Sequence, residues 1–331
     1  MSDYDIQHRS SLEIFPDELF FELFEYIPIY DLYRTFFGLN QRINCILENL
    51  SNLFAEWTTN SDDEIIDKFS SCISRLIIWR GGYLNLNRFH KLRSLKLCLP
   101  TIEQCNEIQP SLTLEHLHIE SSGNKNTITD QLSLLLLTNA FPRLRICRID
   151  EIKFDKENCQ QIPTLHTLIT RTQSPEKLFS LCPMLTYLRL NLKENITESL
   201  EFESYLNLRH LELGIYSTEI TISTIETILS LIPNITRFTL DGPCNPPPQN
   251  KIDICSLAPL LTRYLTNLRI IHISLPLNDN HLDPKEFENE KELLKKLHPL
   301  FNQIIFRSRS YYAPGRLLIS SITDNHKSTR M

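Results

Sequence analysis

Apolar positions follow two regimes along the chain. Up to about residue 50 they recur at helical spacing, and beyond residue 70 they recur as apolar-x-x-apolar-x-apolar. The first regime predicts three helices. Pro16 suits a first helical position, because its missing N–H would have no intrahelical partner there anyway. Asp17 and Glu18 follow in the first turn, where acids complement the helix dipole. This helix is expected over residues 16–26, with Pro28 interrupting it. A second is expected over residues 30–37, with Asp31 in its first turn. Gly38 ends it, and Asn40 caps a third helix toward Leu50. Along the first helix Leu19, Leu23 and Tyr26 form one apolar stripe, and Phe20, Phe24 and Ile27 form the next. A surface helix buries a stripe of about 100°, and this one is wider. A unit of about 40 residues rarely makes a self-sufficient core. The surplus apolar surface therefore meets either the rest of the chain or another protein.

The second regime starts anew at Ile73, Leu92, Leu114, Leu144, Leu165, Leu185, Leu208, Ile235 and Leu268, at intervals of 19 to 33 residues. Four of these starts follow apolar-Pro-x: Phe141-Pro142-Arg143, Ile162-Pro163-Thr164, Cys182-Pro183-Met184 and Ile232-Pro233-Asn234. Helical-looking runs at residues 128–140, 176–181 and 222–231 precede three of them. Proline cannot continue a helix and biases the residue before it to extended geometry. The chain then enters a short strand whose alternate residues point inward. Helix, proline and strand make one repeat, and stacked repeats bury one continuous core. In the fifth unit Thr170 stands where an apolar residue is expected. Near the end, Asp283-Pro284 opens a further helix, two strands are expected at residues 304–306 and 317–319, and residues 323–331 are polar. The proline-rich residues 245–250 read as a surface loop.

Composition narrows the function classes. The chain has 331 residues, of which 91 are leucine or isoleucine, 7 are glycine and none is valine. No G-x-G-x-x-G and no G-x-x-x-x-G-K-[ST] occurs, so nucleotide loops have no basis in the sequence. Lys+Arg 34 against Asp+Glu 40 leaves a net charge of −6, which argues against general nucleic-acid binding. Residues 1–10 are too polar for a secretory signal, and the apolar run at residues 132–137 is far too short to span a bilayer. The expectation is an intracellular protein, cytoplasmic or nuclear or both, with neither membrane nor nucleic acid as partner. Nine scattered cysteines with no C-x-x-C read as free thiols. His116 and His118 share a strand face, but no third metal ligand can be named. With no catalytic motif in the sequence, the chain is read as a non-enzyme without cofactor or metal.

One resemblance is specific. Phe15-Pro16-x-Glu18-Leu19, Leu23-Phe24-x-Tyr26-Ile27, Asp31-Leu32, Phe36 and Leu39-Asn40-x-Arg42 together resemble an F-box. This short helical module docks substrate receptors onto the Skp-family adaptor of cullin ubiquitin ligases. The match departs at Phe15, where leucine is usual, and at Leu39-Asn40. It implies an F-box over residues 9–56, with Pro16, Leu19, Leu23, Phe24, Ile27 and Leu32 filling a groove on the adaptor. The repeats are similar to the irregular leucine-rich repeats found behind F-boxes, without the asparagine that usually follows each strand and braces regular horseshoes.

The implied fold class is α/β. A three-helix F-box precedes an irregular leucine-rich-repeat solenoid over residues 62–322, with a C-terminal cap and a disordered tail at residues 323–331. Parallel strands would line the concave face and helices the convex one. Lys96, His118, Arg148, Arg171, Tyr187, Arg189 and Arg237 would then lie on the concave face and hold a target. A cationic track there suits an acidic or phosphorylated segment. The implied function is the substrate-recognition subunit of a Skp-cullin-F-box ubiquitin ligase. The alternative is a non-ligase repeat scaffold whose N-terminal helices only cap the repeats.

Overall fold

The computed structural model describes residues 14–59, 61–80, 84–106, 108, 113–120, 126–154, 159–172, 174–192, 204–217, 220–242, 252, 254–276, 292, 304–309 and 316–321, the last two stretches as backbone only. The chain forms two compact units, Met1–Ile128 and Thr129–Met331.

In the first unit, helix α1 spans Asp17–Phe24 behind an N-cap at Pro16. It stops two residues short of Tyr26, whose N–H bonds Leu23 O in a tight turn. Helix α2 (Ile29–Phe36) follows Pro28 at once. Gly38 leaves it at φ +84°, a left-handed conformation that costs any residue with a Cβ. The Gly38 N–H then donates to Asn44 Oδ1 at 2.8 Å. Helix α3 (Gln41–Glu48) is capped by Asn40, whose Oδ1 accepts from the Ile43 N–H at 2.8 Å. One stripe of α1 turns inward. Phe20 and Phe24 are buried with Ile29, Leu32, Ile43 and Leu47, and the Phe24 ring lies 4.8 Å from that of Phe36.

A strand follows directly. β1 (Leu53–Trp57), α4 (Asp63–Phe69), β2 (Ile73–Ile78), a single 3₁₀ turn (Leu86–Arg88), β3 (Ser94–Cys98), α5 (Ile102–Asn106) and β4 (His116–Glu120) complete this unit's regular elements among the described residues. β1 through β4 are parallel, each paired with the next. The expected F-box range, 9–56, and the expected repeat range, from 62, meet within this unit. β1 straddles the end of the first range, Pro28 makes a parallel bridge to Phe54, and α2 packs on both β1 and α4. β1 is the strand missing from the sequence-based repeats. Leu50-x-x-Leu53-x-Ala55 has the right spacing but puts alanine, a weak apolar marker, in the third place.

In the second unit α6 (Asn126–Leu137) leads into β5 (Ile146–Arg148). There follow β6 (Thr167–Arg171), α7 (Pro175–Leu181), β7 (Tyr187–Leu192), β8 (His210–Ile215), α8 (Ile222–Ser230), β9 (Arg237–Asp241), α9 (Ile254–Tyr264) and β10 (Ile270–Pro276). β5 to β10 pair in sequence order, all parallel. The array ends in a change of direction: β12 (Arg316–Ser321) runs antiparallel to β10, and β11 (Ile304–Arg309) antiparallel to β12. All nine repeat starts lead into strands, so the whole is a mixed α/β protein of parallel strands with helical crossovers. Burial alternates along the strands, as in β7, where Leu188, Leu190 and Leu192 are buried and Tyr187, Arg189 and Asn191 are half-buried. Thr170 takes its inward place, 1% exposed, with its hydroxyl donating to Arg171 O at 3.1 Å.

Rungs of side chains brace the strand entrances. Thr164 Oγ1 donates to Pro142 O at 3.2 Å, Asn207 Nδ2 to Pro183 O at 2.7 Å and Asn234 Nδ2 to Leu206 O at 3.0 Å. Each donor sits one residue before its repeat's first inward leucine or isoleucine, and each acceptor two residues before the preceding repeat's. Tyr205 adds a buried brace, its hydroxyl donating to Cys182 O at 2.6 Å while its ring stacks 5.1 Å from Phe179. The expected helix from Asp283, the loop at residues 245–250, the tail at residues 323–331 and the start of the first segment at residues 9–13 lie outside the described residues.

Candidate functional site

α1 carries apolar residues on two sides, and only one can face α3 and the core. With Phe20 and Phe24 turned inward, the other stripe remains on the surface. Phe15 is 47% exposed, Leu19 48%, Leu23 51% and Tyr26 78%. Together with Phe20 and Glu22 they line a groove of about 420 Å³. Ile14, 77% exposed, continues the patch at its N-terminal end.

Of the six expected adaptor contacts, Pro16, Leu19 and Leu23 lie on the surface, and Ile27 is half-buried. Phe24 and Leu32 are 0% exposed and serve the unit's own core. A helix repeats every 3.6 residues, so Phe24 cannot share a face with Leu23. Phe15 and Tyr26 were missed as groove residues. Their signal was in the sequence all the same, since 15, 19, 23 and 26 fall at the i, i+4, i+8, i+11 spacing of one face.

The polar surroundings of α1 come from distant parts of the chain. Arg42 on α3 donates from Nη2 to Phe15 O at 2.5 Å and to Asp17 Oδ1 at 2.5 Å, and from Nε to the same carboxylate oxygen at 2.8 Å. Its guanidinium lies 5.8 Å from the Phe20 ring centre. Past the other end of α1, Arg75 donates to Glu25 O, and Asn52 Nδ2 to Glu25 Oε1 at 3.2 Å.

The sheet's polar face carries the residues expected to hold a target. In the first unit Lys96 and His118 pair across neighbouring strands. Both converge on Glu120, with Lys96 Nζ 3.4 Å and His118 Nε2 3.0 Å from its Oε1. Lys96 also lies 5.8 Å from the Trp79 ring centre. In the second unit Arg148, Ile169, Arg189 and Glu212 form one row across β5 to β8. Glu212 gathers its neighbours. Arg189 Nε is 3.8 Å and His210 Nε2 3.3 Å from its carboxylate, and the Tyr187 hydroxyl bonds to it. Burial alone would raise the Glu212 carboxyl, but the bonds from His210 and Tyr187 and the charge of Arg189 outweigh it and hold it below the usual carboxylate range. The Tyr187 phenol is pushed up by burial and by that same carboxylate.

The expected cationic track is therefore neutralised in part, at Lys96 and Arg189. Arg171 donates to Asp150 O at 2.9 Å. Only Arg148 and Arg237, of the seven expected residues, are exposed and in no ion pair among the described residues. Glu120 and Glu212 are recognisable in the sequence as acids interspersed among these cations, and strand register shows which cations they face.

Chemically, this surface offers charged and hydrogen-bonding groups. Among the described residues no three His, Cys, Asp or Glu side chains stand together in a way that could hold a metal ion. No described helix is long and apolar enough to cross a membrane. Cys147 and Cys182 are buried, and burial pushes both thiols up, that of Cys182 to about 12. Compared with known proteins, the chain matches no family model and no curated protein.

Proposed function

We propose that this chain is the substrate-recognition subunit of a Skp-cullin-F-box ubiquitin ligase. The observation that carries the reading is the outward stripe of α1. Phe15, Leu19, Leu23 and Tyr26 remain exposed after the helix has satisfied its own core through Phe20 and Phe24. Contiguous exposed apolar surface of this kind marks an interaction site. The stripe lies within the residues that resemble an F-box, so the proposed occupant is a Skp-family adaptor, and through it a cullin. The strand–helix repeats are taken as irregular leucine-rich repeats that hold a target protein on their polar sheet face, with Arg148 and Arg237 as its freest cations. Such a subunit makes and breaks no bonds. It raises the effective concentration of the target's lysines near the ubiquitin-charged enzyme. Work in the cytoplasm or nucleus follows from the same reading.

A second reading has its own support. α2 packs on β1 and α4, as helices that merely cap a repeat array would. Co-expression with a Skp-family adaptor separates the two. The native chain is expected to form a complex, and Leu19→Asp/Leu23→Asp to abolish it with the fold intact. No complex with the native chain sinks the ligase reading. Unfolding of the double variant favours the cap.

A further inference from the structure

We infer that Arg42 is the positioning residue that holds the first turn of α1 in its docking geometry, an inference that rests on the adaptor reading above. α1 has only eight residues, and its N-cap, Pro16, supplies no side-chain cap. A helix this short has no stability of its own. Its inward residues are Phe20 and Phe24, so Asp17 to Leu19 are exposed, and the apolar hold on this end is Phe20 with the Phe15 ring edge-on to it at 6.4 Å. Yet this first turn carries Leu19 and leads in from Phe15, half of the outward stripe.

Arg42 supplies the polar tie that sets the turn's direction. From α3, 25 positions away, one planar guanidinium holds the Asp17 carboxylate through two nitrogens and the Phe15 carbonyl through Nη2. It thus grips the chain on both sides of Pro16. Charge-assisted bonds in a fixed fork set direction as well as energy. With the guanidinium also over the Phe20 ring, the grip fixes how Phe15 and Leu19 meet Leu23 and Tyr26 around the groove. Arg42 belongs to the last element of the F-box-like pattern, yet it lies outside the groove's lining. Its part is to prepare the face, not to touch the adaptor's apolar surface.

The test uses the full chain and a purified Skp-family adaptor. In Arg42→Ala the docking-competent fraction falls, so association is expected to slow about tenfold while dissociation changes less than about twofold. Leu23→Ala, which removes a contact, acts the other way and speeds dissociation. Arg42→Lys keeps the charge but loses the planar fork, and is expected to fall between native and alanine. Amide hydrogen exchange at residues 19–23 should rise in Arg42→Ala while β2 and β3 stay protected. Native-like association, or native-like exchange in α1, overturns the inference. So does a matching loss of protection in β2 and β3, which would make Arg42 a general fold residue. If the native chain does not bind the adaptor, the docking reading falls, and the exchange comparison alone decides whether Arg42 holds the turn.

Discussion

Leu23 and Phe24 are neighbours in sequence and opposites in the structure, which makes them the sharpest test of how α1 is used. Phe24 is 0% exposed, and truncating a buried phenylalanine to alanine costs about 3–5 kcal/mol. Leu19 and Leu23 are 48% and 51% exposed. Full burial of a leucine is worth about 1.5–3 kcal/mol, so roughly half of that, about 1 kcal/mol each, remains for a partner to collect. Leu19→Ala/Leu23→Ala should therefore weaken adaptor binding by about 2 kcal/mol, close to 30-fold in Kd. The two residues are one helical turn apart, so the sum need not be strictly additive. The assay pairs a urea denaturation series with an adaptor titration for each variant. Phe24→Ala is expected to lower the midpoint strongly. The leucine pair should lower it far less and lose affinity. If the leucine pair costs as much stability as Phe24→Ala, the stripe is covered by the chain itself and the reasoning fails. An unchanged Kd in the leucine pair refutes it equally.

Glu212→Gln should lower stability at neutral pH. Because the native carboxyl sits below its usual range, its contribution is complete above that range and is lost as pH falls through the native value. The gap between variant and native in urea midpoint should close toward acid, and a gap that stays constant would contradict the assignment. Under brief iodoacetamide treatment, exposed Cys45 should be alkylated while buried Cys147 and Cys182 react only after denaturation. Early label on Cys182, read by mass spectrometry, would show that its burial is wrong. At Gly214 an added Cβ would lie 2.6 Å from Asn191 Oδ1 and 2.9 Å from the Tyr216 ring. Gly214→Ala should therefore cost about 1 kcal/mol or more, and Asn191→Ala in the same chain should relieve much of it, as a double-mutant cycle would reveal.

The strands were legible because their inward positions alternate against polar neighbours. The apolar-Pro-x signature works because proline both ends a helix and extends the residue before it. Ala55 hid β1, since one methyl group contributes little to a pattern made of leucine and isoleucine. The candidate site was legible in outline only. Two apolar stripes on α1 can be seen in the sequence, but which one faces inward depends on where α3 lies, and that is a tertiary fact. Phe24 takes the inward side of α1 for that reason. The charged face was legible as a set of residue types without its pairing. Glu120 and Glu212 belong to the same stripes of residues as the cations, and only strand register shows that Lys96, His118, Arg189 and His210 close on them. Arg42 was visible as part of a motif, but its grip on Asp17 and Phe15 spans two helices and leaves no local pattern.

The rungs from Thr164, Asn207 and Asn234 join each repeat only to the one before it. A whole repeat therefore carries its own fastening. Duplicating residues 185–207 would add one more rung of the same kind and break none, whereas deleting a stretch that holds one member of a rung would leave its donor or its carbonyl without a mate. Proteins held by nearest-neighbour terms of this sort tolerate changes of length in whole units. In this chain the currency of such change is the stretch from one entrance donor to the next. The irregular spacing of its repeats is the freedom that this fastening leaves, because what lies between two rungs can lengthen or shorten without disturbing either.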